Sequence, residues 1–340
     1  MKPDAIAAAL APVLADACGA ESARIDGIRS MTGGAAREAW RLDVTLERPS
    51  GEEARSFVAL VFRPAGSGQR AFEAVSEAEL LRAAARAGVP VPAVICAGEA
   101  PLGRPFYVMD RIEGETIGRR LVREERFAAA RARLPRQLGE ALAAIHRVPV
   151  HDLAFLPRPK PGVTVAQAET DRLEELYRVI AVEPHPVFEL AFRWLRANLP
   201  ETRATTLVHG DFRIGNVIVD EHEGLRAVLD WELAHAGDPV QDLAWACVRS
   251  WRFGADALTF GGVGRREELF AAYEEAGGQR VDPSAVRFWE VFGNLNWGVI
   301  TLIQVRGFLD GAIRSAELAA IGRRAAETEW ELLNLIEGRV

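Results

Sequence analysis

Three side chains in the second half of the chain stand at spacings that suit chemistry on a charged substrate. His209-Gly210-Asp211 is followed by Asn216 five residues on, and Asp230 lies fourteen beyond Asn216. A carboxylate such as Asp211 can take the proton of an attacking hydroxyl that lies within hydrogen-bond reach. An amide oxygen and a second carboxylate are hard ligands, of the kind magnesium takes while it bridges phosphates. Residues 217–219 and 225–229 read as two short strands, with Glu221-His222-Glu223-Gly224 as the turn between them. Such a hairpin would bring Asn216 and Asp230 together. Each of these residues alone is also what an ordinary turn would contain. The spaced set is not explained that way.

The stretch "HGDFRIGNVIVD" followed by "VLDWELAHAGDPVQDLAW" resembles the catalytic core of the aminoglycoside phosphotransferase and choline kinase-like family, which has a protein-kinase-like fold. In protein kinases the related order is an Asp, four residues, an Asn, and an Asp on the next strand. The resemblance implies a kinase that moves the ATP γ-phosphate to a hydroxyl of a small molecule. Asp211 would be the base, Asn216 and Asp230 the Mg2+ ligands, and Arg213 a residue facing the phosphates or pairing at the surface. His209 would brace the loop rather than exchange protons. Asp242 would support the loop from the following helix, with Asp238 as its N-cap, Pro239 its first residue and Gln241 completing a capping box. Trp231 stands where many kinases have phenylalanine.

The same resemblance assigns the nucleotide side. Gly33 and Gly34, in "GGAARE", would form the turn over the phosphates, their backbone N–H groups holding the oxygens. Ala36 stands where related sequences often carry serine. The third strand normally supplies a lysine paired with a helix glutamate. Here it reads Val58-Ala59-Leu60-Val61-Phe62-Arg63, so Arg63 is the candidate cation and Glu77 its partner, with Glu73 and Glu79 as competitors. Alternation along the strand leaves open whether Phe62 takes the lysine's position and Arg63 the opposite face. Met109 and Arg111, in "FYVMDRIEG", would run past the adenine. Together with "GVPVP" and "FWEVFGNLNWGVI", these stretches place the chain nearest a bacterial branch related to the kinase-like domains of acyl-CoA dehydrogenase fusions. An aminoglycoside is therefore not the default acceptor, and an amino alcohol, a sugar or a hydroxyacyl thioester are equally open.

The elements that would position these residues follow from periodicity and punctuation. Ile6, Leu10 and Leu14 recur every four residues and predict an amphipathic helix over 5–20. Strands are expected at 25–28, 39–46, 56–62, 93–97 and 105–109, and a helix over 72–87 closed by Gly88. Beyond a connector at 110–114, one long helix is expected over 124–146, a loop at 157–163, two helices within 165–199, a strand at 206–208, and helix nearly throughout from Pro239. The fold class is α+β and bilobal, with a small antiparallel sheet lobe and a larger helical lobe. Domain boundaries fall at 1–109, 110–114 as hinge, and 115–340. The acceptor site is expected from the helical lobe, around 163–199 and 285–310, where Asn294, Trp297 and Gln304 line it or serve as hydrogen-bonded core residues.

Composition excludes several classes. The 340 residues carry a formal net charge of -7, whereas nucleic-acid binders usually present a basic surface. Cys18, Cys96 and Cys247 have no paired spacing, so neither a disulfide framework nor a zinc site is expected. Asp16 interrupts the apolar N-terminal run, against a secretory signal, and no stretch has the length of a membrane span. The expected compartment is the cytoplasm, and a homodimer is left open. Lys2 and Lys160 are the only lysines, which motivates a second reading, a non-catalytic nucleotide-binding pseudokinase. Retention of Asp211, Asn216 and Asp230 counts against it.

Overall fold

Alternation of apolar residues along the first strands sets one face of a sheet, and a helix closes it. The structure is a computed structural model that describes residues 2–31, 37–62, 73–311 and 315–339. The chain divides into two compact units, Met1–Glu115 with Val217–Leu233, and Thr116–Asn216 with Ala234–Val340.

In the first unit, β1 (Ser22–Met31), β2 (Arg37–Arg48), β3 (Gly51–Phe62), β4 (Val94–Gly98) and β5 (Phe106–Asp110) form an antiparallel sheet in the order β1-β2-β3-β5-β4. Leu42, Val44 and Leu46 on β2, Phe57, Ala59 and Val61 on β3, and Phe106 and Val108 on β5 share one face. Helix α1 (Pro3–Ala17) covers that face with Ile6, Leu10 and Leu14, all fully buried. Burying such side chains contributes about 1.5–3 kcal/mol each. The opposite face carries Arg37 of β2, Phe62 of β3 and Tyr107 of β5, with α2 (Ala74–Arg86) bringing Glu77 to them.

The second unit is mainly helical. Its first helices are α3 (Gly118–Arg123), α4 (Ala128–Arg131), α5 (Leu134–His146), α6 (Val165–Ile180) and α7 (Pro186–Ala197). The single helix expected over 124–146 is therefore broken, because Pro135 starts a new one and cannot continue the old. Two short strands, β6 (Thr206–Val208) and β9 (His235–Gly237), pair antiparallel. Between them in sequence, β7 (Val217–Asp220) and β8 (Gly224–Val228) form the expected hairpin, which groups with the first unit. Asp220 closes its turn by accepting from the backbone N–H of His222 and Glu223, both at 2.8 Å.

After β9 come α8 (Val240–Cys247), α9 (Arg266–Glu275), α10 (Pro283–Leu309), α11 (Ala316–Gly322) and α12 (Ala325–Glu337). The expectation of helix nearly throughout fails between α8 and α9, where a short 3-10 turn at Arg249–Trp251 leads into a loop with a Phe260–Gly264 bridge. Gly254, Gly261 and Gly262, all at positive φ, explain why a helix stops there. Helix α10 is apolar on most of its circumference, as a helix surrounded by others must be, and packs Phe288, Trp289, Phe292, Leu295 and Val299 against α6, α7 and α12.

Helix α5 meets α9 at Gly139. A Cβ there would fall 2.8 Å from the Ala272 Cβ and from the backbone of Leu269 and Tyr273, and backbone cannot yield as a flexible side chain can. Gly139→Ala should therefore lower stability by about 1–3 kcal/mol despite alanine's better helix propensity. The midpoint of urea unfolding checks this.

Candidate active site

In the second unit the loop after β6 is held by one buried carboxylate. Asp242, fully buried on α8, accepts from the backbone N–H of His209 through Oδ2 at 2.7 Å and of Gly210 through Oδ1 at 2.9 Å. His146 of α5 reaches the same Oδ2 through Nε2 at 3.2 Å and contacts the Tyr273 hydroxyl through Nδ1 at 3.0 Å. Burial alone would raise the Asp242 pKa. The hydrogen bond from His146, the charges of the two histidines and the His209 N–H outweigh it and hold the carboxyl below its ordinary value. His209, fully buried, accepts from the Asp211 N–H at 3.2 Å. Its place is thus inside the loop, as its bracing role required.

This bracing presents Asp211. Its Oδ1 accepts from the Trp245 indole N–H at 2.7 Å and from Arg213 Nε at 3.0 Å, and its Oδ2 from the Asn216 amide at 2.5 Å. The same amide nitrogen donates to the Asp211 carbonyl at 2.9 Å, so the Asn216 oxygen is the end turned away from Asp211. Arg213 lies with its guanidinium 4.9 Å from the centre of the Trp251 ring. Pro239, expected as the first helical residue, takes the N-cap position of α8 in place of Asp238, which stands one residue earlier and accepts from the Val240 N–H at 3.0 Å and from Trp289 Nε1 at 3.1 Å. The capping box expected with Gln241 is absent, because the Gln241 side chain bonds His235 Nε2 at 3.1 Å instead.

In the first unit the chemistry-bearing groups gather around Arg37. Its Nη1 donates to both oxygens of Glu77, at 2.6 and 2.8 Å, and its Nη2 donates to Asp230 and lies 3.3 Å from Glu232. The Tyr107 hydroxyl donates to Glu77 Oε1 at 3.0 Å. Arg37 and Glu77 are 8% and 1% exposed, so this is a buried, bidentate pair. Burial works against the charge of Arg37, and the carboxylates of Glu77, Asp230 and Glu232 more than offset it. Burial and the Glu77 charge push the Tyr107 phenol well above its ordinary value, which keeps it a donor. Asp230 itself sits at φ 65, the left-handed region that few non-glycine residues enter. Such strain concentrates at functional sites.

The expected cation, Arg63, and the expected phosphate turn at Gly33 and Gly34 lie outside the described residues. Phe62, paired across the strands with Arg37, lies on the face that holds Glu77, with its ring 6.1 Å from Tyr107. Met109 pairs with Val58 and Val94, and the Arg111 N–H donates to the Ser56 carbonyl at 3.1 Å while its guanidinium pairs with Glu113 at 2.7 Å. Sequence reasoning missed Arg37, Tyr107 and Trp245. The signal for Trp245 was its place three residues past Asp242, on the same helix face. For Arg37 the signal was register: only the β2–β3 pairing sets it opposite Phe62. Among the described residues, no group of three or more His, Cys, Asp or Glu side chains could hold a metal ion by itself. Magnesium that arrives with a nucleotide needs no such cage, since it takes one or two protein oxygens and the phosphates. Asp230 carries a carboxylate in the first unit, and Asn216 in the second turns an amide oxygen away from Asp211.

A five-stranded sheet unit, a helical unit and this braced loop define a protein-kinase-like α+β fold. Solved structures share it, among them two phosphotransferase-type proteins. A Ralstonia eutropha JMP134 protein provisionally described as an aminoglycoside phosphotransferase superposes with a TM-score of 0.70 at 23% identity, covering 92% of each chain. A thermostable mutant of aminoglycoside phosphotransferase APH(4)-Ia, in ternary complex with ADP and hygromycin B, gives 0.57 at 18% identity, covering 92% of this chain and 94% of that one. The chain belongs to the phosphotransferase enzyme family, whose model matches residues 8–289. It is also 33% identical over 181 residues to acyl-CoA dehydrogenase family member 10 of Mus musculus, a match that covers 51% of this chain and 16% of the relative. The aligned part is thus a small fraction of that longer protein.

Two outcomes follow from the site's electrostatics. Replacing Arg37 by Ala strands Glu77 as an unpaired buried charge and should cost about 3–5 kcal/mol. Adding Glu77→Gln should recover part of the loss, read from urea midpoints of the single and double variants. Asp242 titrates lower in the folded state than in the unfolded one. Its contribution is therefore complete above the unfolded carboxylate value of about 3.9 and is lost as pH falls through the folded value. Asp242→Asn should accordingly be less stable near neutrality and show a shallower decline of stability on acidification, measured by urea unfolding at a series of pH values.

Proposed function

We propose that the chain transfers the γ-phosphate of ATP to a hydroxyl of a small molecule, with Asp211 as the base and Mg2+ held by Asn216 and Asp230. The observation that carries the reading is the Asp211 carboxylate: three donors from Trp245, Arg213 and Asn216 orient it, on a loop whose backbone is tied to Asp242. A turn residue needs no such setting, whereas a base that must meet one hydroxyl does. Magnesium, when bound with the nucleotide, would offset phosphate charge. Asn216 would offer its amide oxygen, the end not engaged with Asp211. The complex of APH(4)-Ia with ADP and hygromycin B supports a fold that holds a nucleotide together with a small molecule. Among the described residues no helix is long and apolar enough to cross a membrane, and Cys18, Cys96 and Cys247 are free thiols. Both suit the cytoplasmic setting we assign.

Arg37 takes the part that the third-strand lysine plays in related kinases. It is the cation that Glu77 holds, and it comes from the neighbouring strand. The glycine turn at Gly33 and Gly34, Arg63, and the connector with Met109 and Arg111 complete the nucleotide side of this assignment.

A second reading, a nucleotide-binding module without transfer, draws on one observation. Arg37 engages Asp230, so the carboxylate assigned to magnesium already has a cation. Asp211→Asn separates the readings. For a kinase, ATP consumption driven by a hydroxylated acceptor should fall about 10²–10⁴-fold, the size of a general-base contribution, while Mg-ATP still raises the melting temperature. Undiminished turnover in the variant would remove Asp211 from the mechanism. Thermal stabilisation without turnover on any acceptor, in wild type as in the variant, would favour the binding module.

A further inference from the structure

The second unit contains a cavity of about 830 Å³ whose walls are rich in arginine. Arg119 and Arg123 come from α3, Arg249 and Phe253 from the loop after α8, and Arg324 and Trp330 from the C-terminal helical segment. The acidic groups on its walls are largely committed. Arg249 pairs with Asp256 at 2.8 Å and Glu331 at 3.2 Å, and Arg324 pairs with Glu327 at 3.0 Å.

That leaves α3. Arg119 has no acidic partner among the described residues, and Arg123 spends two of its donors on the Phe253 carbonyl, at 3.1 and 2.7 Å. The two are four residues apart on one helix and line the same cavity, an arrangement of like charges that is unfavourable unless an anion lies between them. Arg120, on the same short helix, does have a glutamate four residues on, Glu124 at 3.8 Å. The helix thus provides an acid for the arginine that does not line the cavity, and none for the two that do.

A run of aromatic rings links Asp211 to the cavity wall. Trp245, which donates to Asp211, has its ring 5.2 Å from that of Trp251, which lies 4.8 Å from that of Trp297. Arg324 approaches the Trp297 ring to 5.7 Å. On the other side, Gly118 at the start of α3 has no room for a side chain. A Cβ would fall 2.8 Å from the Phe253 ring on the cavity wall and 3.2 Å from Ile214, two residues before Asn216. Asn294, 3% exposed, lines the cavity as well. Trp330, 56% exposed, carries Arg249 stacked at 4.8 Å and offers an aromatic surface at its edge.

From this we infer that the cavity binds an anion, a hydroxylated small molecule bearing a carboxylate or phosphate group that Arg119 and Arg123 receive. A polycationic amino sugar would meet the like charge of these guanidinium groups there and be disfavoured. That this ligand is also the phosphoryl acceptor rests on the transfer reading above; the anion site does not.

Isothermal titration distinguishes the possibilities, using gluconate against its neutral alcohol sorbitol, glycerol 3-phosphate against glycerol, and kanamycin as the polycation. Saturable binding of at least one of the two anionic probes and none of the neutral alcohols is expected, and which anion binds tells carboxylate from phosphate. Arg119→Gln and Arg123→Gln should each weaken that binding about tenfold or more, as loss of a charge-assisted contact does. Arg119 is exposed, so its variant should keep the wild-type melting temperature, and Arg120→Gln is the control on the other face. Binding that is unchanged in both variants, absent for both anions, or stronger for kanamycin would overturn the inference. Titration without nucleotide keeps this outcome separate from any failure of ATP transfer.

Discussion

The loop that carries Asp211 depends on one fully buried carboxylate. Backbone N–H groups at His209 and Gly210 lie where neither helix nor sheet can satisfy them, and a buried donor without a partner costs on the order of 1–3 kcal/mol. Asp242 supplies both acceptors from a single side chain, which also forces the first turn of α8 to sit against the loop. His146 adds a third donor and draws α5 into the same arrangement, and Tyr273 holds His146 from α9. Three helices and the strand β6 are thereby tied to one point. The direction Asp211 faces follows from that packing, with Trp245, one helical turn after Asp242, making the final contact.

The first unit has its own counterpart, in which one cation serves several anions. Arg37 joins Glu77 of α2 to Asp230 after β8, so a helix, the sheet and the hairpin segment meet on one guanidinium. The left-handed backbone of Asp230 is tolerable because that contact rewards it. Leaving out any member would strand a charge, and the cost of an unpaired buried charge exceeds what the pair contributes over an apolar replacement.

How much of this was legible in the sequence depends on the range of the interaction. Elements set by local pattern were readable: the Ile6–Leu10–Leu14 stripe, the β7–β8 hairpin with its Gly224 turn, and the helix closed at Gly88. The break at Pro135 is equally local, but the alanine-rich flanks read as continuous helix and mask it. The glycines at 254, 261 and 262 end the helical pattern by a similar local rule. At the candidate site, the spacing of Asp211 and Asn216 was visible because both lie on one short loop, where the Asn216 amide bonds Asp211. The partner of Glu77 was not, since it turns on cross-strand register. Arg37 lies opposite Phe62 only if β2 and β3 pair as they do, and a slip of one residue would put it on the α1 face. Gln241 shows the converse: its spacing suited a capping box, but His235, delivered by the β6–β9 pairing, took its side chain.

That the cation beside Glu77 is an arginine has a physical meaning in this setting. A lysine ammonium is a point charge that could satisfy Glu77 or Asp230, but its three donors radiate from one atom. The guanidinium presents separate N–H groups in a plane, so Arg37 donates from Nη1 to Glu77 and from Nη2 to Asp230 at once. It also lies 5.9 Å from the Phe62 ring, a contact that suits a weakly hydrated, planar cation. Phe62 of β3 offers an aromatic face, and β2 supplies a cation shaped to lie near it. The cation beside Glu77 comes from β2, and that is why reading β3 alone does not reveal it.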